Sequence, residues 1–194
     1  MERFTSPDHM QRAAWDLMYR AAVNRNDVMR TPAMATFDGA KVHQRTIVLR
    51  KVDKAAQELF FFTDRRSPKV AHLEQDQQLN VLFWHPRKKV QIEAIGKSVL
   101  HYQDGLCRSF WEQLNIGGRS SYATLLAPGT PQLADSTNLP QHWSKEMILS
   151  LTESNFQHFV VIQMQVTEMD ILHLHSDGHQ RAFIAEKEKT WLVP

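Results

Sequence analysis

Gln44-Arg45-Thr46-Ile47-Val48-Leu49-Arg50, then Leu59-Phe60-Phe61-Phe62-Thr63-Asp64, then Arg65-Arg66-Ser67-Pro68-Lys69 form the stretch on which the reading of this chain turns. The first run is β-branched and apolar with an arginine near each end, the pattern of a buried strand. The second is a compact aromatic strand closing on Thr-Asp. In the third, Ser67-Pro68 is a helix start, with serine at the N-cap and proline at the first helical position. Cations and hydroxyls thus converge on the free amides of a helix N-terminus, an arrangement suited to an anion such as a phosphate. The other reading open at this point is a strand hairpin whose basic ends are simply solvated.

Working outward, Ala33 to Phe37 reads as a strand, and Asp38-Gly39 turns it into a second strand from Lys41 to Val52. With Glu58 to Thr63 this gives three antiparallel strands in succession. Upstream, Ser6-Pro7-Asp8 starts a helix whose apolar positions Met10, Ala14, Leu17, Met18 and Ala21 follow helical spacing. Downstream come a short helix from Ser67, a strand at Asn80–Trp84 and a long strand at Lys89–His101. Gly96 inside that last strand signals a bulge or a bend. Asp104 to Leu114 reads as a helix, Asn115 to Asn138 is irregular, and Lys145 to Ser154 reads as another helix. Phe156–Thr167, Asp170–His175, Gln180–Ala185 and Thr190–Val193 are expected as four further strands. About eight strands with short turns predict a mostly β, antiparallel barrel with peripheral helices. Residues 1–194 are read as one domain, with barrel strands at about 30–102 and 156–194 and a helical and loop insertion at about 103–155.

A net charge of +2 gives no case for nucleic acid or a membrane, while the local clustering of Arg45, Arg50, Lys51, Arg65, Arg66 and Lys69 favours a small anionic ligand. One cysteine, Cys107, leaves no internal disulfide and fits a reducing cytoplasm. Met1-Glu2-Arg3-Phe4 shows no apolar leader, and no run reaches membrane-spanning length. No GxGxxG, Walker loop or GxSxG elbow is present. His173 and His175 share one face of a strand with His179 nearby, but without a CxxC or HExxH pattern no metal is expected. Arg45 and Arg50 have opposite parity, so a regular strand points them to opposite faces. Gln91 offers a donor and an acceptor able to read a heterocycle edge.

Arg45-Thr46-Ile47-Val48-Leu49-Arg50, Phe61-Phe62-Thr63-Asp64, Ser67-x-Lys69 and Gln91-Ile92 with Gly96 following resemble, in order and spacing, the pyridoxamine 5′-phosphate oxidase family. Gly178-His179-Gln180-Arg181-Ala182-Phe183 and the closing Trp191-Leu192-Val193-Pro194 resemble its C-terminal strands. The resemblance implies an FMN-binding split barrel acting as a homodimer, closest to the oxidase-related flavoproteins of unassigned substrate. By this resemblance Arg45 and Lys69 hold the FMN phosphate with Ser67 and Thr63 as hydroxyl donors. Thr46, Ile47 and Val48 lie along the ring, Arg50 takes the place of the family's lysine, and Phe62 fills its aromatic position. Gln91 bonds the flavin, Arg181 comes from the partner subunit, and His179 with Arg119 faces the substrate. Pro68 stands where the family has an arginine, Ile171 or Leu172 where it has a tryptophan, and Asp177 where it has a substrate-phosphate arginine. A carboxylate at 177 repels a phosphorylated substrate. The implied activity is flavin-dependent oxidoreduction of a small molecule. The alternatives are a non-catalytic flavin- or haem-binding barrel and the vitamin enzyme itself.

Overall fold

The computed structural model describes residues 2–144 and 146–194. A first helix, α1 (Pro7–Val23), begins at Ser6, whose hydroxyl accepts the His9 amide at 3.1 Å. Nine strands follow among the described residues: β1 (Ala33–Phe37), β2 (Val42–Thr46), β3 (Leu49–Asp53), β4 (Glu58–Asp64), β5 (Gln78–His85), β6 (Val90–Tyr102), β7 (Phe159–His173), β8 (Gln180–Ala185) and β9 (Lys189–Leu192). Helix α2 (Pro68–Gln75) joins β4 to β5, and α3 (Gly105–Trp111) and α4 (Ile116–Arg119) follow β6.

The sheet is antiparallel, in the order β2-β1-β5-β6-β7-β4-β3, with β8 added on β7 and β9 on β8. The expected single strand from Lys41 to Val52 is therefore two strands at opposite ends of that order. Ile47 and Val48 carry the chain between them, and the Ile47 amide bonds Pro32 O at 3.0 Å instead of entering a ladder. Because two residues span only a few ångströms, the ends of the sheet are drawn together without pairing. The result is a curled sheet that is not closed, an α+β split barrel. Met34, Leu49, Leu59, Phe61, Val81, Phe83, Ile92 and Ile162 fill its interior, and Met10, Leu17 and Met18 of α1 cover one end. Phe60 and Val161, on the opposite faces of β4 and β7, join Cys107, Trp111, Tyr122, Phe156 and Phe159 in a second aromatic core under α3.

The two strands expected at Phe156–Thr167 and Asp170–His175 are one, β7, because its alternation of buried residues continues across the polar step at Thr167–Glu168. That step is a bulge: Ile95 pairs with Glu168 and Gly96 with Val166, leaving Thr167 unpaired. At this point β7 exchanges neighbours, pairing with β4 through Gln165 and with β8 from Glu168. Gly96 is required here, since a Cβ at 96 would stand 1.9 Å from Gln165 O. The helix expected at Lys145–Ser154 begins at a residue outside those described, and Leu149–His158 forms a 3-10 helix. Gly96→Ala should cost about 3 kcal/mol, at the upper end of overpacking penalties, because the obstruction is backbone; a thermal melt with an unchanged midpoint would contradict the close approach.

Candidate functional site

Three residues separate the end of β4 from the start of helix α2. Ser67 takes the extended backbone of an N-cap, but its hydroxyl makes no capping bond. Its Oγ accepts Lys69 Nζ at 2.6 Å, and the same ammonium donates to Thr63 Oγ1 at 3.1 Å. Arg45 arrives from β2, where its Nη1 donates to Thr36 Oγ1 at 2.6 Å. Thr36 is only 3% exposed and lies 3.0 Å from His72 Nδ1 on α2. The structure thus brings Arg45, Thr63, Ser67 and Lys69 together as the sequence predicts, and adds Thr36 and His72, which it did not. Thr36 was within reach of a register count, since the Asp38-Gly39 turn pairs it with His43. Nothing in the sequence links His72 to β1.

This cluster lacks a counter-charge. Among the described residues neither Arg45 nor Lys69 forms an ion pair. Asp64 is bound by Arg66 through Nε to Oδ1 at 3.0 Å and Nη2 to Oδ2 at 2.7 Å. Burial first, and then Arg45, holds the Lys69 ammonium below the usual lysine range, with Asp64 opposing them weakly. Burial likewise lowers Arg45. Two desolvated cations bonded only to hydroxyls fit a phosphate, which would supply the missing charge to both.

The remaining expected residues fall on other surfaces. Thr46 is exposed at the end of β2, Ile47 is buried and Val48 half-buried, so their backbone forms the crossing beside Arg45. Arg50 is the extra residue of a bulge between Leu49 and Lys51. Its guanidinium lies 5.2 Å from the Phe62 ring centre, burial lowers its pKa, and its buried Nε has no partner. Phe62 packs edge-on against Phe110 and Phe159, each at 5.0 Å, on the face of β4 opposite Thr63. Arg45 and Arg50 do point to opposite faces, but from two strands rather than one.

Gln91 and Arg181 share the outer face of the sheet, in one cross-strand row with Trp84, Leu172 and Leu192. Arg181 grips Asp170, with Nε to Oδ1 at 2.9 Å and Nη2 to Oδ2 at 2.7 Å. Within one chain this row and the Arg45–Lys69 cluster lie on opposite faces. His179 is exposed and lines an open cleft of about 400 Å³ with Arg181 and Trp191.

Arg119 is placed differently from the substrate position that the resemblance implies. It is 2% exposed, over the Trp111 ring at 4.4 Å, and donates to Glu153 Oε1 at 2.6 Å, Thr152 Oγ1 at 2.9 Å and Trp111 O at 3.1 Å. Such a side chain pins α4 to the Leu149–His158 helix and presents nothing to a ligand. His173 is 2% exposed beneath Phe4, and the His175 ring meets it edge-on at 5.3 Å. Among the described residues the ligand atoms of Asp38, His43 and His72 lie within 4.8 Å of one another.

The split barrel thus sets two part-buried cations without acid partners beside the start of α2. Residues 12–102 match the family profile described as pyridoxamine 5′-phosphate oxidase, FMN-binding domain. Through this stretch the chain is similar to that family, and FMN is the cofactor of the matched domain. The fold is similar to a pyridoxamine 5′-phosphate oxidase-related, FMN binding protein from Nostoc punctiforme PCC 73102, at TM-score 0.75 and 18% identity, covering 100% of both chains. It is also similar to PhzG from Burkholderia lata 383, solved in complex with tetrahydrophenazine-1-carboxylic acid, at TM-score 0.70 and 17% identity over 100% of this chain and 95% of that one. No curated protein matches the chain in sequence.

Because Arg45 helps to depress Lys69, Arg45→Gln should raise the midpoint at which Lys69 loses its proton in the flavin-free protein. Removing a neighbouring cation favours the charged ammonium, so the shift is upward. Side-chain NMR titration reads it, and an unmoved midpoint would show that the two cations do not sense each other.

Proposed function

We propose that this protein is an FMN-dependent oxidoreductase of the oxidase-related branch of the family, acting on an unidentified small molecule. It works as a cytoplasmic homodimer with the flavin at the subunit interface, residues 1–194 forming one domain. The observation that carries this reading is the pair of part-buried cations, Arg45 and Lys69, supported by Thr63 and Ser67 and left without an acid partner. Bound there, FMN supplies the two-electron chemistry. The chain's part is to hold the phosphate through Arg45 and Lys69, to lay the Thr46–Val48 backbone beside the ring, and to exclude water, while Arg50 and Phe62 lie on the opposite face.

The outer face supports the dimer. Leu82, Trp84 and Leu192 stand 40%, 43% and 37% exposed, with Leu172 and Phe183 half-buried among them, an apolar surface of the kind that associating proteins cover. Gln91 and Arg181 lie on that surface, so a second copy is the means by which they reach the first copy's cradle. An arginine and an amide donor near the ring favour the reduced, anionic flavin. His179, in the cleft with Arg181, faces the substrate. Asp177, exposed in the same loop, argues against a phosphorylated substrate and so against pyridoxamine phosphate oxidation. No helix among the described residues is long and apolar enough to cross a membrane.

Purified protein mixed with FMN and passed through gel filtration should keep about one flavin per chain, read from its visible absorbance. Losing one charge-assisted phosphate contact is worth about 2 kcal/mol, so Arg45→Ala and Lys69→Ala should each weaken FMN binding about thirtyfold. Unchanged affinity in both would overturn the phosphate assignment. Trp84→Glu should shift the protein to monomer by light scattering and release flavin; a flavin-loaded monomer would remove the interface from the reading. Reduction of the bound flavin by a candidate donor under anaerobic conditions distinguishes turnover from mere binding.

A further inference from the structure

Asp38, His43 and His72 come from three elements, the β1–β2 turn, β2 and α2, and their ligand atoms lie within 4.8 Å of one another. All three residues are half-buried. Asp38 divides its two oxygens. Oδ1 accepts the amides of Ala40 at 2.9 Å and Lys41 at 2.8 Å and so shapes the turn, while Oδ2 meets His43 Nε2 at 2.6 Å. The two imidazole rings stand 4.8 Å apart, tilted by 40°. The turn is seated on α2: Gly39, at φ +91°, lies so close that a Cβ there would be 3.0 Å from Gln75 Nε2. Thr36 Oγ1, 3.0 Å from His72 Nδ1, orients that ring in the way hydroxyls and carbonyls steady ligating histidines.

We propose that Asp38, His43 and His72 form a binding site for a divalent transition-metal ion of the zinc type, adjoining the flavin cradle through Thr36. Two imidazoles and one carboxylate are a nitrogen-and-oxygen donor set that suits zinc, cobalt or nickel, whereas calcium and magnesium take oxygen donors. Three protein ligands leave a position for water. An ion held here joins the β1–β2 hairpin to α2, the two elements that present Arg45 and Lys69. Its physical effect is therefore to fix the spacing of the cradle, and it takes no part in electron transfer. The proposal does not depend on which substrate the flavin serves.

The test is calorimetric titration of zinc into the full-length, chelator-treated protein, with the thermal midpoint and flavin content read on the same samples. One saturable zinc per chain is expected, with a midpoint that rises as zinc is added, because an ion that binds only the folded state stabilises it. His43→Ala and His72→Ala should each lower zinc affinity about tenfold or more, by comparison with the loss on removing even a supporting group. Asp38→Asn keeps the Oδ1 acceptor that shapes the turn and removes the charge, so it should weaken zinc in a protein that still folds. His175→Ala should change nothing. Retention of FMN by His43→Ala while zinc is lost would distinguish the metal ligands from the residues that hold the flavin. Absence of saturable zinc binding, or zinc affinity unchanged in both His43→Ala and His72→Ala, would overturn the proposal.

Discussion

Two residues, Ile47 and Val48, impose the constraint on which the rest of the molecule depends. They connect β2 and β3, which stand at opposite ends of the path β2-β1-β5-β6-β7-β4-β3. A short covalent link between the ends of a twisted sheet requires the sheet to curl. Curling gives the interior shared by Met34, Leu49, Phe61 and Ile92. It also carries Arg45, from one end of the order, to Lys69 and Thr63, which belong to the other. The meeting of the two cations is therefore a consequence of topology, and no local sequence preference would bring them together.

Charge is handled differently at the cradle than elsewhere in the chain. Arg66 is matched to Asp64, Arg119 to Glu153 and Arg181 to Asp170, each with bonds of 2.6–2.7 Å. Buried or half-buried guanidinium groups ordinarily require such partners, because desolvation of an unpaired charge is costly. Arg45 and Lys69 have hydroxyls only, and Arg50 has the face of Phe62. Left without acid partners, Arg45 and Lys69 are the cations on which the proposed phosphate site rests.

Much of this was legible in the sequence because it is written in short-range chemistry. The Asp38-Gly39 turn, the Ser6-Pro7 and Ser67-Pro68 helix starts and the alternating β6 follow from local rules, and Gly96 marked the bend correctly. The break between β2 and β3 was not legible, since Thr46-Ile47-Val48-Leu49 reads as one uninterrupted strand and only tertiary closure divides it. The polar step Thr167-Glu168 misled in the other direction, because a bulge tolerates polar residues without ending a strand. At the site, spacing anticipates Thr63, Ser67 and Lys69 as neighbours, and the family resemblance placed Arg45 with them. Ser67 holds the expected backbone but turns its hydroxyl to Lys69. Arg119 followed a motif into a position where burial against Trp111 gives it a different task. Thr36 and His72 are 36 residues apart and meet only through the fold.

Cys107 gives the second core a built-in clock. It is the chain's one cysteine, fully buried beside Trp111, with its thiol donating to His101 O at 3.1 Å. Burial pushes its pKa up to about 11, so the thiolate that reacts with alkylating reagents is scarce in the native state. Alkylation at neutral pH then proceeds through molecules in which α3 has lifted from β7. The rate of labelling measures how often that helix detaches. Because no second thiol competes, a single mass increment reports this local opening separately from the melting of the barrel.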